Sequence, residues 1–246
     1  MKKFELTADR IKSNGVILYR IKALIDFGDV KAGELGGYVE KETNLSQYGD
    51  AWVYRHAQVY GNAQVFGNAR IFDYAQVFGN ARIFDYAQVF GNAFVLEDAL
   101  VSESAWVYGD ARICSDAKAS GNARIFGNAR ISGNAHIFGD SLVYGNARIF
   151  GNAHIFGDPL VYGDACMCDN AQVSSDADYI CLKGFGSRNR NTTMFRTENG
   201  NICVSCGCFI GSLQEFENKV KETHGNNKFA KEYLALVEAA KIHFEV

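Results

Sequence analysis

At 246 residues and a net charge of −3, the chain has room for one large domain or two small ones and carries no global positive field for nucleic acid. Its 25 Gly against a single Pro suit tight corners between uninterrupted strand ladders. No apolar run approaches the ~20 residues that span a bilayer, so neither a membrane nor a nucleic acid is expected as partner. Met1 to Thr7 lacks the apolar stretch of a secretory leader, and an odd count of 7 Cys without one fits reduced thiols in a cytoplasm.

Residues 1–47 stand outside any repeat. Val16 to Leu24 reads as one or two strands, and Gly33 with Gly36-Gly37 turns the chain toward Tyr38-Val39. This segment is expected to cap an open end, because an uncovered last rung offers a bare strand edge. From Ala51 to Ala177 a small residue recurs at every sixth position, Ala at 20 of 22 sites, with Ser141 and Pro159 as the exceptions. Two residues after nearly every one comes an aliphatic, from Val53 and Val59 on to Val173, and Gly-Asn or Gly-Asp pairs commonly fill the interval. A strict short period means stacked coils rather than a closed globular core. The segment Gly133 to Asp140 recurs 18 residues later as Gly151 to Asp158, so three hexads make one triangular coil. Residues 48–179 are therefore expected to form a rod of about seven coils, about 34 Å long at ~4.8 Å per coil. Residues 180–246 read as short strands followed by two helices, the first opened by a capping box at Ser212-Leu213-Gln214-Glu215.

Outward positions sort into three ladders. The first is Tyr54, Phe72, Phe90, Tyr108, Phe126, Tyr144 and Tyr162, with Trp52 and Trp106 in the adjoining column. Such a face exceeds what a monomer usually leaves bare. Either the terminal helices or another molecule covers it, and self-association is the expected form. The second ladder carries Arg112, Arg130 and Arg148 in consecutive coils, a solvated stripe or a site for an anionic partner. The third places Ser102 and Ser120 between Phe84 and Phe138, with Arg82, Lys118, His136 and His154 alongside. Small rungs between aromatic walls, edged by cations, suit a nucleotide-like ligand. In the tail, Cys203, Cys206 and Cys208 have a C-x2-C-x-C spacing, with Cys181 and His224 as fourth-ligand candidates. A single C-x2-C is half of a zinc signature, so packing is the expected role and no metal or cofactor is expected.

The hexads resemble the bacterial hexapeptide-transferase family, which implies a left-handed parallel β-helix. The expected fold is thus mainly β: that β-helix with an N-terminal β cap and a small C-terminal α+β domain. Leu18 to Leu24 with Gly36-Gly37-Tyr38-Val39-Glu40 and Asn44-Leu45-Ser46 is similar to the opening of phage and prophage hexapeptide-repeat proteins. The tail from Gly186-Ser187-Arg188 through Cys206-Gly207-Cys208-Phe209 resembles a domain of phage proteins. Enzymes of the transferase family use a His base and loops that break out of the coil, and no loop interrupts residues 51–177. His136 and His154 stack on an outer face, and no catalytic residue is assigned. The expected function is a non-enzymatic, phage-type binding protein. It oligomerises through the aromatic face and engages a host target, a protein or a sequestered nucleotide-like signal, as counter-defence. The alternatives are an acyltransferase acting on a small substrate and a virion spacer.

Overall fold

A computed structural model describes residues 1–246. The protein is a β-solenoid closed at both ends. At the N-terminus, β1 (Phe4–Ser13) and β2 (Val16–Ala23) pair antiparallel, and β2 pairs with β3 (Leu35–Val39). The body has 21 two-residue strands in three parallel sheets, from Trp52–Val53 to Gln172–Val173. One sheet continues through β3, β2 and β1 to reach 10 strands, and the other two have 7 each. Partners lie 18 residues apart throughout, as in Trp52 with Arg70 and His136 with His154. From Ala51 to Val173 the aliphatic and the small residue of each hexad point inward and are buried, most of them in one core of 51 residues that runs from Phe4 to Cys203.

The residue types follow from this geometry. Each rung donates backbone amides to the next coil, as from Tyr54 N to Ile71 O at 2.8 Å. The corner needs a left-handed residue, which glycine supplies most cheaply; Gly127 and Gly139 sit there at φ 68° and 72°. Beside it, the asparagines donate along the rod to the next coil, as from Asn134 to Asn152 at 2.9 Å and from Asn146 to Asp164 at 2.9 Å. Ser141 replaces Ala without an orphaned hydroxyl, because its Oγ donates to Phe138 O at 2.7 Å.

Two expectations about the ends are corrected. The segment before Ala51 is already coiled: Tyr38-Val39 pairs with Gln58-Val59 and Leu45 bridges to Val65, an offset of 20 rather than 18 residues. Two extra residues between Leu45 and Trp52 absorb the difference, which raises the solenoid to about eight turns. At the other end Ala177 leaves the register. Asp176–Asp178 form a single 3-10 turn, and Ala177 is exposed.

The N-terminal plug is aromatic and cationic. Trp52 is fully buried under Phe4 and Phe27, with ring centroids at 6.2 and 5.3 Å, so it does not join the outer aromatic column. Lys3 is 2% exposed and donates to the carbonyls of Gly49 (3.1 Å) and Ala51 (2.9 Å). Burial brings its ammonium pKa down to about 8, and Asp50 opposes that fall.

The C-terminal plug is an antiparallel meander of β4 (Tyr179–Phe185), β5 (Arg190–Arg196), β6 (Ile202–Cys206) and β7 (Phe209–Ser212). One face puts Tyr179, Phe195 and Cys203 into the solenoid core. Cys166 N donates to Thr193 Oγ1 at 3.0 Å, which ties β5 to the last coil. The other face, with Met194, Ile202, Val204 and Cys206, receives Phe216 and Val220 of α1 (Leu213–His224). It also receives Tyr233, Leu236, Val237 and Phe244 of α2 (Lys228–Phe244). The capping box at Ser212 forms, with Ser212 N donating to Glu215 Oε2 at 2.8 Å and Glu215 N to Ser212 Oγ at 3.2 Å. No helix is long and apolar enough to cross a membrane.

Gly139 and Gly163 share a left-handed corner conformation but differ in what a Cβ would meet. At Gly139 the Cβ would lie 2.6 Å from the Gly157 carbonyl, and at Gly163 nothing lies within 4 Å. Gly163→Ala should cost about 1 kcal/mol from backbone strain alone. Gly139→Ala should cost about 2–3 kcal/mol, since it also forces two coils apart. Urea midpoints of the two variants check the ranking.

Candidate functional site

The third ladder is assembled as the spacing requires, with Arg82, Lys118, His136 and His154 on one sheet in 18-residue register. Two of its polar groups, however, are engaged with each other. Ser120 Oγ lies 3.2 Å from His136 Nε2, and the His136 ring packs 4.6 Å from Phe138 and 6.1 Å from His154. Ser102 is buried, and Arg82 lies over its own neighbours Phe66 and Phe84 at 5.7 and 5.9 Å. Burial lowers the His136 pKa, His154 and Lys118 lower it further, and Glu103 partly opposes them. A half-buried imidazole with a lowered pKa is held neutral, and so free to accept a proton, in reach of a hydroxyl.

The aromatic ladder is continuous from Phe90 to Tyr162. Phe90–Tyr108, Tyr108–Phe126 and Phe126–Tyr144 are stacked at 4.7, 4.8 and 4.9 Å, and Tyr144–Tyr162 follows at 5.7 Å. Trp106 meets Phe90 edge-on at 6.2 Å and carries Arg124 on its ring at 4.9 Å. Tyr54 and Phe72 form a separate pair at 4.5 Å. A cavity of about 340 Å³ opens where that pair meets Phe90. The terminal helices bury their apolar residues on the end sheet rather than on this ladder, whose last ring, Tyr162, is 51% exposed.

On the second ladder Arg112, Arg130 and Arg148 are exposed, in register, and free of ion pairs. The ladder ends in a cavity of about 510 Å³ between the rod and the β4–β5 hairpin, lined by Arg148, Lys183, Arg188 and Arg190 with Asp164. Arg188 and Arg190 also line a second cavity, of about 520 Å³, with Lys219, His224, Phe209, Phe216 and Tyr233. Asp164 is the one carboxylate on either wall. It is engaged by Lys183 at 2.8 Å, and that bond, with those from Asn146 and Asn191, brings its pKa down to about 2. Burial and Cys206 push the Tyr233 phenol up to about 12, against the pull of Arg190. The two cavities share Arg188 and Arg190: one opens between the hairpin and the rod, and the other, with the aromatic wall, between the hairpin and the helices.

Sequence reasoning missed Arg188, Arg190 and Lys219. The Arg188-Asn189-Arg190 turn was visible, but nothing in the repeat indicates that it faces Arg148. The proposed cysteine trio is not brought together. Cys203 faces the rod core, Cys206 faces the helices, and Cys208 is exposed on the turn. A β-strand sends residues three apart to opposite faces, which a C-x2-C pattern does not reveal. Cys206 lies near Thr192 Oγ1 (3.3 Å) and the Tyr233 hydroxyl (3.9 Å).

The family model for the YdcK β-solenoid repeat matches residues 75–89 and 123–139. The chain is a β-solenoid repeat protein. It is similar to a protein of Escherichia coli (strain K12) named "Uncharacterized acetyltransferase YdcK", at 45% identity over 51 residues. That alignment covers 21% of this chain and 15% of the relative.

The depressed His136 pKa has a definite sign. The unfolded chain binds the proton more tightly, so the stability contribution is complete above the ordinary value of about 6.5 and falls as pH drops through it. Wild-type Tm should therefore fall more than that of His136→Gln between pH 7.5 and 5. The imidazole resonances of His136 should titrate below those of a free histidine.

Proposed function

We propose that the chain is a non-enzymatic binding protein whose cationic recess at the C-terminal end of the solenoid takes a phosphate-bearing, nucleotide-like molecule. The observation that carries this reading is the convergence of Arg148, Arg188 and Arg190, none of them in an ion pair, on two adjoining cavities whose one carboxylate is already paired. Guanidiniums without counter-ions are suited to bidentate phosphate contacts, and Phe209 and Tyr233 offer a wall for a planar ring. This moves the ligand from the serine notch, where Ser120 and His136 engage each other and Arg82 lies over Phe66 and Phe84, to the end of the arginine ladder. The reading includes self-association through the aromatic ladder, which the protein's own helices leave uncovered. The resemblance of both ends of the chain to phage proteins supports a host molecule as the target.

Isothermal titration with ADP and with inorganic pyrophosphate tests the recess. Binding should weaken at least tenfold in Arg188→Ala/Arg190→Ala, and both ligands should lose affinity as salt rises. Affinity unchanged in the double variant would overturn the assignment. Sedimentation velocity tests the ladder: Tyr144→Glu should shift the protein toward the 27.1 kDa monomer.

A second reading, acyl transfer, is favoured by the Ser120–His136 contact and by the name of the E. coli relative. It requires thiol release from acetyl-CoA that disappears in His136→Gln while binding at the recess persists.

A further inference from the structure

The left-handed corner position carries a carboxylate in several coils, and there it has a regular task. Asp73 accepts the amide of Gly91 (3.2 Å), Asp85 that of Glu103 (3.3 Å), Glu97 that of Ser115 (2.7 Å) and Glu103 that of Gly121 (2.8 Å). Each partner lies one coil further along. Asp169, at φ 54°, occupies the same corner in the final coil, where no further coil follows. Its carboxylate instead faces sulfur: Cys168 Sγ lies 3.9 Å away, and Cys203 of β6 stands opposite. The two sulfurs and a carboxylate oxygen all lie within 4.8 Å of one another, and both cysteines are buried.

From this geometry we infer a metal site: Cys168, Asp169 and Cys203 bind a zinc-class divalent cation that clamps the end sheet to the last coil. Tetrahedral zinc with sulfur at about 2.3 Å and oxygen at about 2.0–2.2 Å places its ligand atoms about 3.3–3.8 Å apart, inside the observed span. Two thiols and a carboxylate are the softer donor set that zinc prefers over calcium or magnesium. A bare carboxylate beside two thiols opposes their ionisation, and a bound cation reverses that relation. Binding converts both thiols to thiolates and releases two protons to solvent, so a dication meets three negative ligands. Asp169 is exposed, which leaves the fourth coordination position to water. The site joins residues 168 and 203 across the seam between solenoid and plug, where a metal link ties the end sheet to the last coil. It is independent of the ligand proposed for the recess.

The test uses the full chain, purified under reducing conditions, loaded with zinc sulfate and dialysed. Elemental analysis should find one zinc per chain, and Tm should rise with zinc concentration. Cys168→Ser and Cys203→Ser should each weaken zinc binding roughly hundredfold, and Asp169→Asn roughly tenfold. Cys114→Ser and Cys208→Ser should leave it unchanged. Cobalt loading of the wild type should give a thiolate-to-cobalt charge-transfer band, and zinc should protect Cys168 and Cys203 from alkylation, read by peptide mass spectrometry. The last two measurements need no variant to fold. Loss of all zinc on dialysis, or protection confined to Cys166 and Cys181, would overturn the site.

Discussion

The backbone ladder between coils constrains everything else in this protein. Each rung's amides and carbonyls are satisfied by the coil above and the coil below, so residues 18 apart are locked side by side. That locking explains why the interior tolerates so little variety. The small residue and the aliphatic are both at zero exposure in coil after coil, and a volume change at either would push on two neighbours. It also explains the surface. Any outward residue that repeats becomes a ladder: asparagines that donate along the rod, stacked rings, or arginines in file. The rod's chemistry is linear because its hydrogen bonding is linear.

A ladder has two ends, and each end leaves strand edges and core open. The N-terminal solution is to begin coiling early, with Tyr38-Val39 and Leu45 already in parallel pairing, and then to seal the core with Phe4, Phe27 and Trp52. Lys3 fits that sealed region because its ammonium satisfies two corner carbonyls that have no preceding coil to accept from. At the C-terminus the chain changes architecture. An antiparallel sheet lays Tyr179, Phe195 and Cys203 across the last coil, and the helices cover the sheet's far side. Asp178 completes the stop by accepting from Ser174 N at 2.9 Å and Ser175 N at 3.1 Å, which ends the corner series.

The rod was legible in the sequence because its period is a direct image of the backbone register. Alanine, the aliphatic and glycine each answer one steric demand, and the demand repeats. The three faces followed from the same arithmetic, and the structure places Arg112, Arg130 and Arg148, or Tyr108 and Phe126, where counting by 18 puts them. What failed lay where the period breaks. Leu45 is offset by 20 residues from its partner and so was invisible to a search at 18. Ala177 kept the spacing but not the coil, since a matching residue type does not require a matching conformation. Trp52 kept its register yet is covered by the cap. Arg188 and Arg190 belong to a hairpin whose direction relative to the rod is set by the packing of Phe195 and Thr193, and no local pattern encodes that.

The same contrast bears on where function can reside. A strict repeat brings like residues together and keeps unlike ones at fixed offsets on separate faces. It builds extended surfaces readily and convergent sites poorly. Recognition of a small molecule needs several different groups aimed at one point, a cation here and a ring or a donor there. In this chain unlike groups come together where the repeat is interrupted by a different fold: Arg188 and Arg190 of the hairpin share one cavity with Arg148 of the rod and an adjoining one with His224 and Tyr233 of the helices. The Ser120–His136 contact is the instructive exception. It arises inside the rod because two successive coils carry unlike residues on one sheet, a serine in one outward column and a histidine in the next. Drift in the repeat, rather than the repeat itself, gives the solenoid's own surface the chance to hold a reactive pair.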